Sequence, residues 1–261
     1  MRILFIGDIV GSPGRQTVQQ YLPQLLAEKQ INFTVANGEN SAGGFGINRK
    51  SLEELHTAGI DAFTMGNHVW RNKDLLTFID HDTRLIRPGN LSAKPLPGAY
   101  YRYYQVGGAE LLLVNMIGRT FMDSAECPFA AMDLLLEQEN GRTPFILLDF
   151  HAEATSEKNA LGRYLDGRIS ACVGTHTHIQ TNDARILPRG TGFLTDAGMT
   201  GPRDSVLGVE PAIIIRKFML GYPERFEIAR GDRQFNGVIF ELAANGRCKD
   251  IELINFWQPA L

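Results

Sequence analysis

The chain has 261 residues, 44% of them hydrophobic and 21% charged, which is the composition of a globular protein long enough to bury a substantial core. Its 26 basic and 29 acidic side chains give a net charge of −3, which argues against the basic footprint of a protein that binds duplex nucleic acid or a membrane surface. Three scattered cysteines exclude a disulfide framework, no apolar run is long enough to span a membrane, and Asp8 interrupts the apolar N-terminus, so a cytoplasmic protein without a signal peptide is expected.

Short apolar runs alternate with longer amphipathic ones in the first two thirds of the chain, which is the pattern of an α/β protein. The runs are continuous rather than alternating, as in strands that are covered on both faces. In chain order they predict strands at residues 2–7, 33–37, 61–66, 110–118, 145–150 and 169–174. Helices are predicted over residues 15–29, 48–59, 72–80 and 127–139. A capping box of Ser51 and Glu54 is expected in the second helix.

The pattern changes from about residue 184, where short apolar runs are separated by tight turns. These runs predict strands at residues 184–188, 192–198, 212–218, 237–242 and 250–254. We expect them to form a second, more antiparallel sheet that faces the first. No internal repeat or linker interrupts the sequence, so a single domain over residues 1–261 is expected.

Polar side chains of the metal-binding type stand just past the apolar stretches of five predicted strands. They are Asp8, Glu39, Asn40, Asn67, His68, His151, His176 and His178. In open α/β sheets, ligands bind beyond the carboxyl ends of the strands, so these side chains are expected to meet in one pocket. The spacing of His176 and His178 predicts that both imidazoles point to one side of an extended segment, each reaching a different ion of a close pair.

Each of these residues, taken singly, also fits a helix cap, a turn or a surface position, but their joint placement favours a common site. His56 and His81 lack such a context and are predicted to lie on the surface. The ligands are nitrogen and oxygen only, which suits iron, manganese, cobalt or zinc. Seven ligands exceed what one catalytic ion with an open position needs, so two ions sharing a bridging carboxylate are predicted. Their positive charge would attract a phosphate.

Motifs in the same order resemble those of the calcineurin-like metallophosphoesterases, with "GNH" at 66–68, His151, and "THTH" at 175–178. Two elements depart from that superfamily's usual pattern: Val10 stands where a histidine is usual, and Glu39 where an aspartate usually bridges. Both departures are shared by the YmdB-like branch. The stretches that resemble this branch extend over nearly the whole chain, and they are "GENSAGGFGI", "GNHVW", "DFHAEATSEK", "GTHTHIQTND" and "DAGMTGP".

The resemblance implies a β-sandwich of two mixed sheets flanked by helices, in four αββα layers. It also implies a dimetal phosphodiesterase that hydrolyses 2′,3′-cyclic nucleotides by attack of metal-activated hydroxide on phosphorus, with His68 as the general acid. The ions would be divalent or mixed-valence, with iron or manganese favoured over zinc or cobalt, and Asn40 would replace the coordination of the absent histidine. Two ligand sets that share one carboxylate follow: Asp8, Glu39, Asn40 and His178 for one ion, and Glu39, Asn67, His151 and His176 for the other.

Two other functions fit parts of the sequence. "GDIVGSPG" at 7–14 partly imitates a dinucleotide-binding fingerprint, but its glycine spacing differs, Asp8 would repel a pyrophosphate, and the histidines would have no role. A regulatory protein could instead keep the metal site only to sense a nucleotide, although a sensor would not need His68.

The stretch "DAGMTGP" at 196–202 has no obvious chemical role. It is predicted to be a turn at the sheet edge, with a loop that contacts substrate as the alternative. The expected partner is a small phosphodiester or cyclic nucleotide. The sequence leaves the oligomeric state open, a homo-oligomer included.

Overall fold

Two mixed sheets form the centre of the structure, a computed structural model that describes residues 1–259. With strands numbered in chain order, the first sheet has the spatial order β2 (Asp8–Ile9), β11 (Met199–Pro202), β12 (Arg233–Leu242), β1 (Arg2–Ile6), β3 (Phe33–Asn37) and β4 (Ala62–Thr64), with β13 (Cys248–Gln258) also paired to β12. The second sheet has the order β5 (Tyr101–Val106), β6 (Ala109–Ile117), β7 (Phe145–His151), β8 (Ala171–Thr175), β10 (Gly192–Leu194) and β9 (Arg185–Ile186). The α-helices are α1 (Gly11–Lys29), α2 (Arg49–Thr57), α3 (Pro128–Glu139), α4 (Thr155–Tyr164) and α5 (Pro211–Leu220).

The parallel strands of each sheet end on a common edge. In the first sheet, β1, β3 and β4 run parallel, while β12 runs antiparallel to β1. In the second sheet, β6, β7, β8 and β10 run parallel, and β5 is antiparallel to β6. The chain therefore leaves seven parallel strands, three in the first sheet and four in the second, close to the edge where a ligand site is expected.

The inner faces of the two sheets pack against each other. Phe5 of β1 and Phe240 of β12 share one core cluster with Leu147 of β7, and all three are fully buried. Leu4 and Ile6, the alternate residues of β1, belong to another buried cluster on the outer face. Burial on both faces explains why the strand sequence is continuously apolar.

Helices cover both outer faces. Val18 of α1 and Leu52 of α2 pack on the first sheet, and Met132 of α3 and Leu161 of α4 pack on the second. The order of layers is therefore helix, sheet, sheet, helix. The predicted β-sandwich of two mixed sheets flanked by helices is confirmed.

The distribution of strands between the sheets differs from the prediction. The first six predicted strands do not form one sheet, because three of them lie in each. The strands of the final third are also shared, with β11, β12 and β13 in the first sheet and β9 and β10 in the second. Hydrophobic periodicity identifies a buried strand but carries no information about its neighbours, which here include the antiparallel pair of β1 with β12.

The strand predicted at residues 212–218 is wrong, because these residues form helix α5. Pro211 occupies the first turn, and Gly221 ends the helix in the left-handed conformation at φ 74°. Proline just inside the start and glycine just past the end are ordinary helix boundaries. They outweigh the strand preference of the three consecutive isoleucines between them.

Other predicted element boundaries also differ from those in the structure. Helix α1 begins at Gly11 rather than residue 15, and the helix predicted at 72–80 is a short 3-10 helix over Lys73–Thr77. The capping box of α2 joins Asn48 to Ser51, with hydrogen bonds of 2.8 and 3.1 Å, instead of Ser51 to Glu54. Strand β5 and helix α4 had no counterpart among the predictions.

The stretch at 196–202 is not a turn at a sheet edge. Met199–Pro202 forms β11, a buried strand that pairs in parallel with β2 and antiparallel with β12. His56 and His81 are both exposed, as predicted. No helix within residues 1–259 is both long and apolar enough to cross a membrane.

Candidate metal centre

The eight residues predicted from the strand ends converge on one polar pocket between the carboxyl edges of the two sheets. The first sheet and the loops after β3 and β4 supply one side, and the ends of β7 and β8 supply the other. The side chains that meet are Asp8, Glu39, Asn40, Asn67 and His68 from the first, and His151, His176 and His178 from the second. The convergence joins residues as far apart in the chain as Asp8 and His178.

Four of these residues surround one point and are called here the His151 group: Glu39, Asn67, His151 and His176. The Nε2 atom of His151 lies 3.1 Å from Glu39 Oε1, 3.0 Å from Asn67 Oδ1 and 3.1 Å from His176 Nδ1. Glu39, His151 and His176 offer ligand atoms that all lie within 4.8 Å of one another. This group could therefore hold a metal ion.

The Thr175 hydroxyl on the far side of the His151 ring sets its tautomer, because its 2.9 Å contact to Nδ1 is much shorter than the 3.4 Å contact from Asn37 Nδ2. The Thr175 hydroxyl donates to Asp149 Oδ1 at 2.7 Å, so its oxygen accepts from Nδ1 of His151 at 2.9 Å. The lone pair of the neutral ring then lies on Nε2 and faces the oxygens of Glu39 and Asn67. Burial lowers the pKa of His151 to about 4, so the ring is neutral at neutral pH. Facing lone pairs of this kind fit a cation and not a hydrogen bond.

Three further residues form a second group, called here the Asp8 group: Asp8, Asn40 and His178. His178 Nδ1 donates to the carbonyl oxygen of Leu207 at 3.0 Å, so its Nε2 lone pair faces Asp8 Oδ1 at 3.7 Å. Burial raises the pKa of Asp8, His178 and His151 lower it, and the neighbouring Glu39 carboxylate raises it again. A buried pair of carboxylates at this point also fits a cation.

The orientation of the Asn40 amide differs from the one that the predicted ligand role needs. Its Nδ2 atom faces the Asp8 group, 3.3 Å from Asp8 Oδ1 and 3.2 Å from His178 Nε2, while Oδ1 accepts from His68 Nδ1 at 2.8 Å. Amide nitrogen is not a metal ligand. Coordination by Asn40 therefore requires its amide nitrogen and oxygen to exchange places.

The prediction that His176 and His178 share one side of an extended segment is wrong. Strand β8 ends at Thr175, and the two histidines have left-handed φ angles of 100° and 64°. Their imidazoles consequently separate, with His176 in the His151 group and His178 in the Asp8 group. Residues other than glycine rarely adopt such angles, and here the surrounding contacts enforce them.

A buried ion pair that the sequence analysis missed holds this turn. The Asp196 carboxylate accepts from Thr177 at the backbone nitrogen (3.1 Å) and the hydroxyl (2.7 Å), and it pairs with Lys158 Nζ at 2.7 Å. Both charged side chains are 1% exposed. The aspartate of "DAGMTGP" thus orients the residue between the two histidines. Asp149 inside the apolar run "FILLDF" was likewise missed, although an aspartate in a buried strand is itself a signal.

Replacing Lys158 with methionine is expected to lower the free energy of unfolding by about 3–5 kcal/mol, because the Asp196 carboxylate would stay buried without its cation. Denaturant titration measures this. Lys50→Met is the matched control, since the Lys50 side chain is 81% exposed and the change should stay within about 0.5 kcal/mol. A loss under about 1 kcal/mol at Lys158 would mean that the pair does not stabilise the turn.

Comparison with known proteins gives one consistent picture. A family model described as YmdB-like protein matches residues 4–254. A 2′,3′-cyclic-nucleotide 2′-phosphodiesterase of Bacillus subtilis is 49% identical over 242 residues, covering 93% of this chain and 91% of that protein. The crystal structure of a phosphatase from Mycoplasma pneumoniae superposes with a TM-score of 0.94 at 34% identity, over 99% of this chain and 94% of that one. A 5′-nucleotidase precursor of Thermus thermophilus superposes with a TM-score of 0.61 at 12% identity, over 99% of this chain and 54% of that one. This likeness shows the fold alone.

Proposed function

This chain belongs to the YmdB-like protein family, and we propose that it is a dimetal phosphodiesterase that hydrolyses 2′,3′-cyclic nucleotides. One observation carries the proposal: two groups of nitrogen and oxygen donors, each with residues from both sheets, adjoin each other at Glu39. The B. subtilis relative, which acts on 2′,3′-cyclic nucleotides, supports the substrate class.

The Asp8 group with Glu39 would hold one ion, and the His151 group would hold the other. Hard oxygen and imidazole donors suit iron or manganese, with zinc and cobalt next. Two bound divalent ions would neutralise charge on the phosphate oxygens and lower the pKa of water enough to supply hydroxide. The chain contributes their positions, through Glu39 between the groups and through the hydrogen bonds that Thr175 and Leu207 make to the ligand histidines.

His68 would deliver a proton to the leaving oxygen of the diester. Its backbone nitrogen donates to Glu39 Oε2 at 2.9 Å, and its Nδ1 lies 2.8 Å from the end of the Asn40 side chain. With the Asn40 amide exchanged so that Oδ1 binds the ion, Nδ2 would donate to Nδ1 of the neutral His68 ring, which places the ring proton on Nε2, where it can pass to substrate. Burial lowers the pKa of His68, whereas the Glu39 carboxylate raises it. The side chain is 22% exposed, which leaves it accessible beside the pocket.

Metal content and turnover together test the function. Purified protein is expected to contain two metal ions per chain and to open 2′,3′-cyclic nucleotides faster than it hydrolyses phosphomonoesters or linear diesters. Chelation should abolish turnover, and added manganese or iron should restore it. Nucleotide binding without hydrolysis by metal-loaded protein would contradict the proposal and favour a sensor.

We also propose that residues 1–261 act as one domain in the cytoplasm. Support comes from β12, which crosses from the last third of the chain to pair with β1, and from three cysteines that are all free thiols. Residues 260 and 261 lie outside the part of the chain that the structure describes.

A further inference from the structure

An apolar cavity of about 280 Å³ adjoins the metal centre. Asn40, His68 and His178 lie at one end of it. The remaining wall is built mainly by apolar side chains from three separate segments: Phe45, Val206, Leu207, Ile214, Phe226 and Ile228. A molecule whose phosphate sits at the metal centre would place its substituent in this cavity.

Residues 203–232, which connect β11 to β12, form the cap over the cavity. Within the cap, Val209 bridges to both Val206 and Ile228, and Ala229 N donates to the Gly208 carbonyl at 3.0 Å. The cap contacts the loop that follows Asn40, and the residue of that loop at the contact is Gly44. A Cβ there would lie 2.7 Å from Ile228 Cδ1, and the residue has φ 92°, so glycine is required for this contact.

The cavity and the metal centre are joined through direct contacts. Leu207 lines the cavity with its side chain and accepts the hydrogen bond from His178 Nδ1 with its carbonyl oxygen. Phe45 lines the opposite side and packs edge-on against His68, with ring centroids 5.1 Å apart. Two lining residues, Leu207 and Phe45, are therefore held directly against His178 and His68 of the metal centre.

Resting on the proposed function, we propose that this cavity binds the base of a single nucleotide through apolar contact and stacking on Phe45, with little discrimination between bases. Beyond the residues of the metal centre, Lys217 is the one lining side chain with a polar group, and its ammonium lies over the Phe226 ring at 4.6 Å. Strong selection between bases needs buried polar groups that the wrong base leaves unpaired. The volume lies at the lower end of ligand pockets, which suits one base with its ribose.

The four 2′,3′-cyclic nucleotides are therefore expected to have kcat/KM values within about 10-fold of one another, with purines ahead because they stack over a larger area. Phe45→Ala should raise KM for each of them by about 5- to 150-fold, the range that loss of an aromatic base stack gives. Phe45→Trp should restore KM. Methyl riboside 2,3-cyclic phosphate, which lacks a base, should have the same KM in all three proteins, and any effect of Phe45 on His68 should change kcat alike for this substrate and for the nucleotides.

The controls separate this inference from the proposed function. Phe45 is 43% exposed, so its replacement should not unfold the chain, and Tyr164→Ala, at 45% exposure on α4, is the matched control that should leave KM unchanged. Adenosine binding, measured by calorimetry, should weaken in Phe45→Ala even if no diester is turned over. An equal KM change for the base-free diester, a preference above 100-fold for one base, or unchanged adenosine binding would each overturn the inference.

Discussion

Replacing Glu39 with glutamine is expected to release both metal ions and to lower kcat/KM by at least about 10³-fold, since metal assistance is worth several kcal/mol and each 1.4 kcal/mol is a factor of ten. Glutamine has the same shape but removes one negative charge from a carboxylate that is 1% exposed. One of its two terminal atoms becomes a donor, which cannot bind a cation. The loss should affect both ions because Glu39 Oε1 lies 3.1 Å from His151 Nε2, and because the Glu39 carboxylate is also close enough to the Asp8 group to raise the pKa of Asp8.

Elemental analysis of the purified variant measures this effect, with a thermal melt to establish that it is folded. Glu137→Gln is the matched control, since Glu137 is exposed on α3 and far from any ligand residue in sequence. The control should keep two ions. A Glu39→Gln protein that also keeps two ions would show that this carboxylate does not bridge them.

The sequence was sufficient to predict which polar residues meet, because each stands at or just past the end of a strand that is mostly apolar. Asp8 begins β2 directly after β1, and His151 is the last residue of β7. Within each sheet the carboxyl ends of parallel strands share one edge, and the two sheets of this fold place those edges side by side. The convergence of the eight residues could therefore be predicted even though the assignment of strands to sheets could not.

What the sequence did not predict depends on contacts between distant segments. Lys158 and Asp196 are 38 positions apart, and neither shows locally that it is buried with an opposite charge. The turn in which His176 and His178 have left-handed backbone angles is held by that ion pair through Thr177. The apolar cavity likewise arises only after the cap folds back on the loop that follows β3.

Because the ligand residues come from both sheets, bound metal ions would also stabilise the fold. The first sheet and its loops supply the two carboxylates, and the second supplies all the ligand histidines, so bound ions would join the two sheets at their common edge. A ligand that binds only the folded state stabilises it in proportion to RT ln(1 + [L]/Kd). The same residues that perform the proposed chemistry would then also hold the sandwich closed at its polar end.

Replacing His68 with alanine is expected to leave both ions bound and to lower kcat for a 2′,3′-cyclic nucleotide by about 10²- to 10⁴-fold, the usual value of a general acid. The imidazole contacts Asn40 Oδ1 at 2.8 Å and Phe45, but its nitrogen stays 3.7 Å from Glu39 Oε1, outside the His151 group. His56→Ala, on the exposed side of α2, is the control that should change neither quantity.

The leaving group gives the sharper measurement for His68. A nitrophenyl diester releases a stable phenolate that needs no proton, so its hydrolysis should fall far less in His68→Ala than that of a nucleotide, whose leaving alkoxide must be protonated. When kcat is compared for the two substrates in the wild type and in the variant, the effect on proton transfer is separated from the effect on positioning. An equal fall for both substrates would remove the general-acid role, and loss of metal would place His68 among the ligands instead.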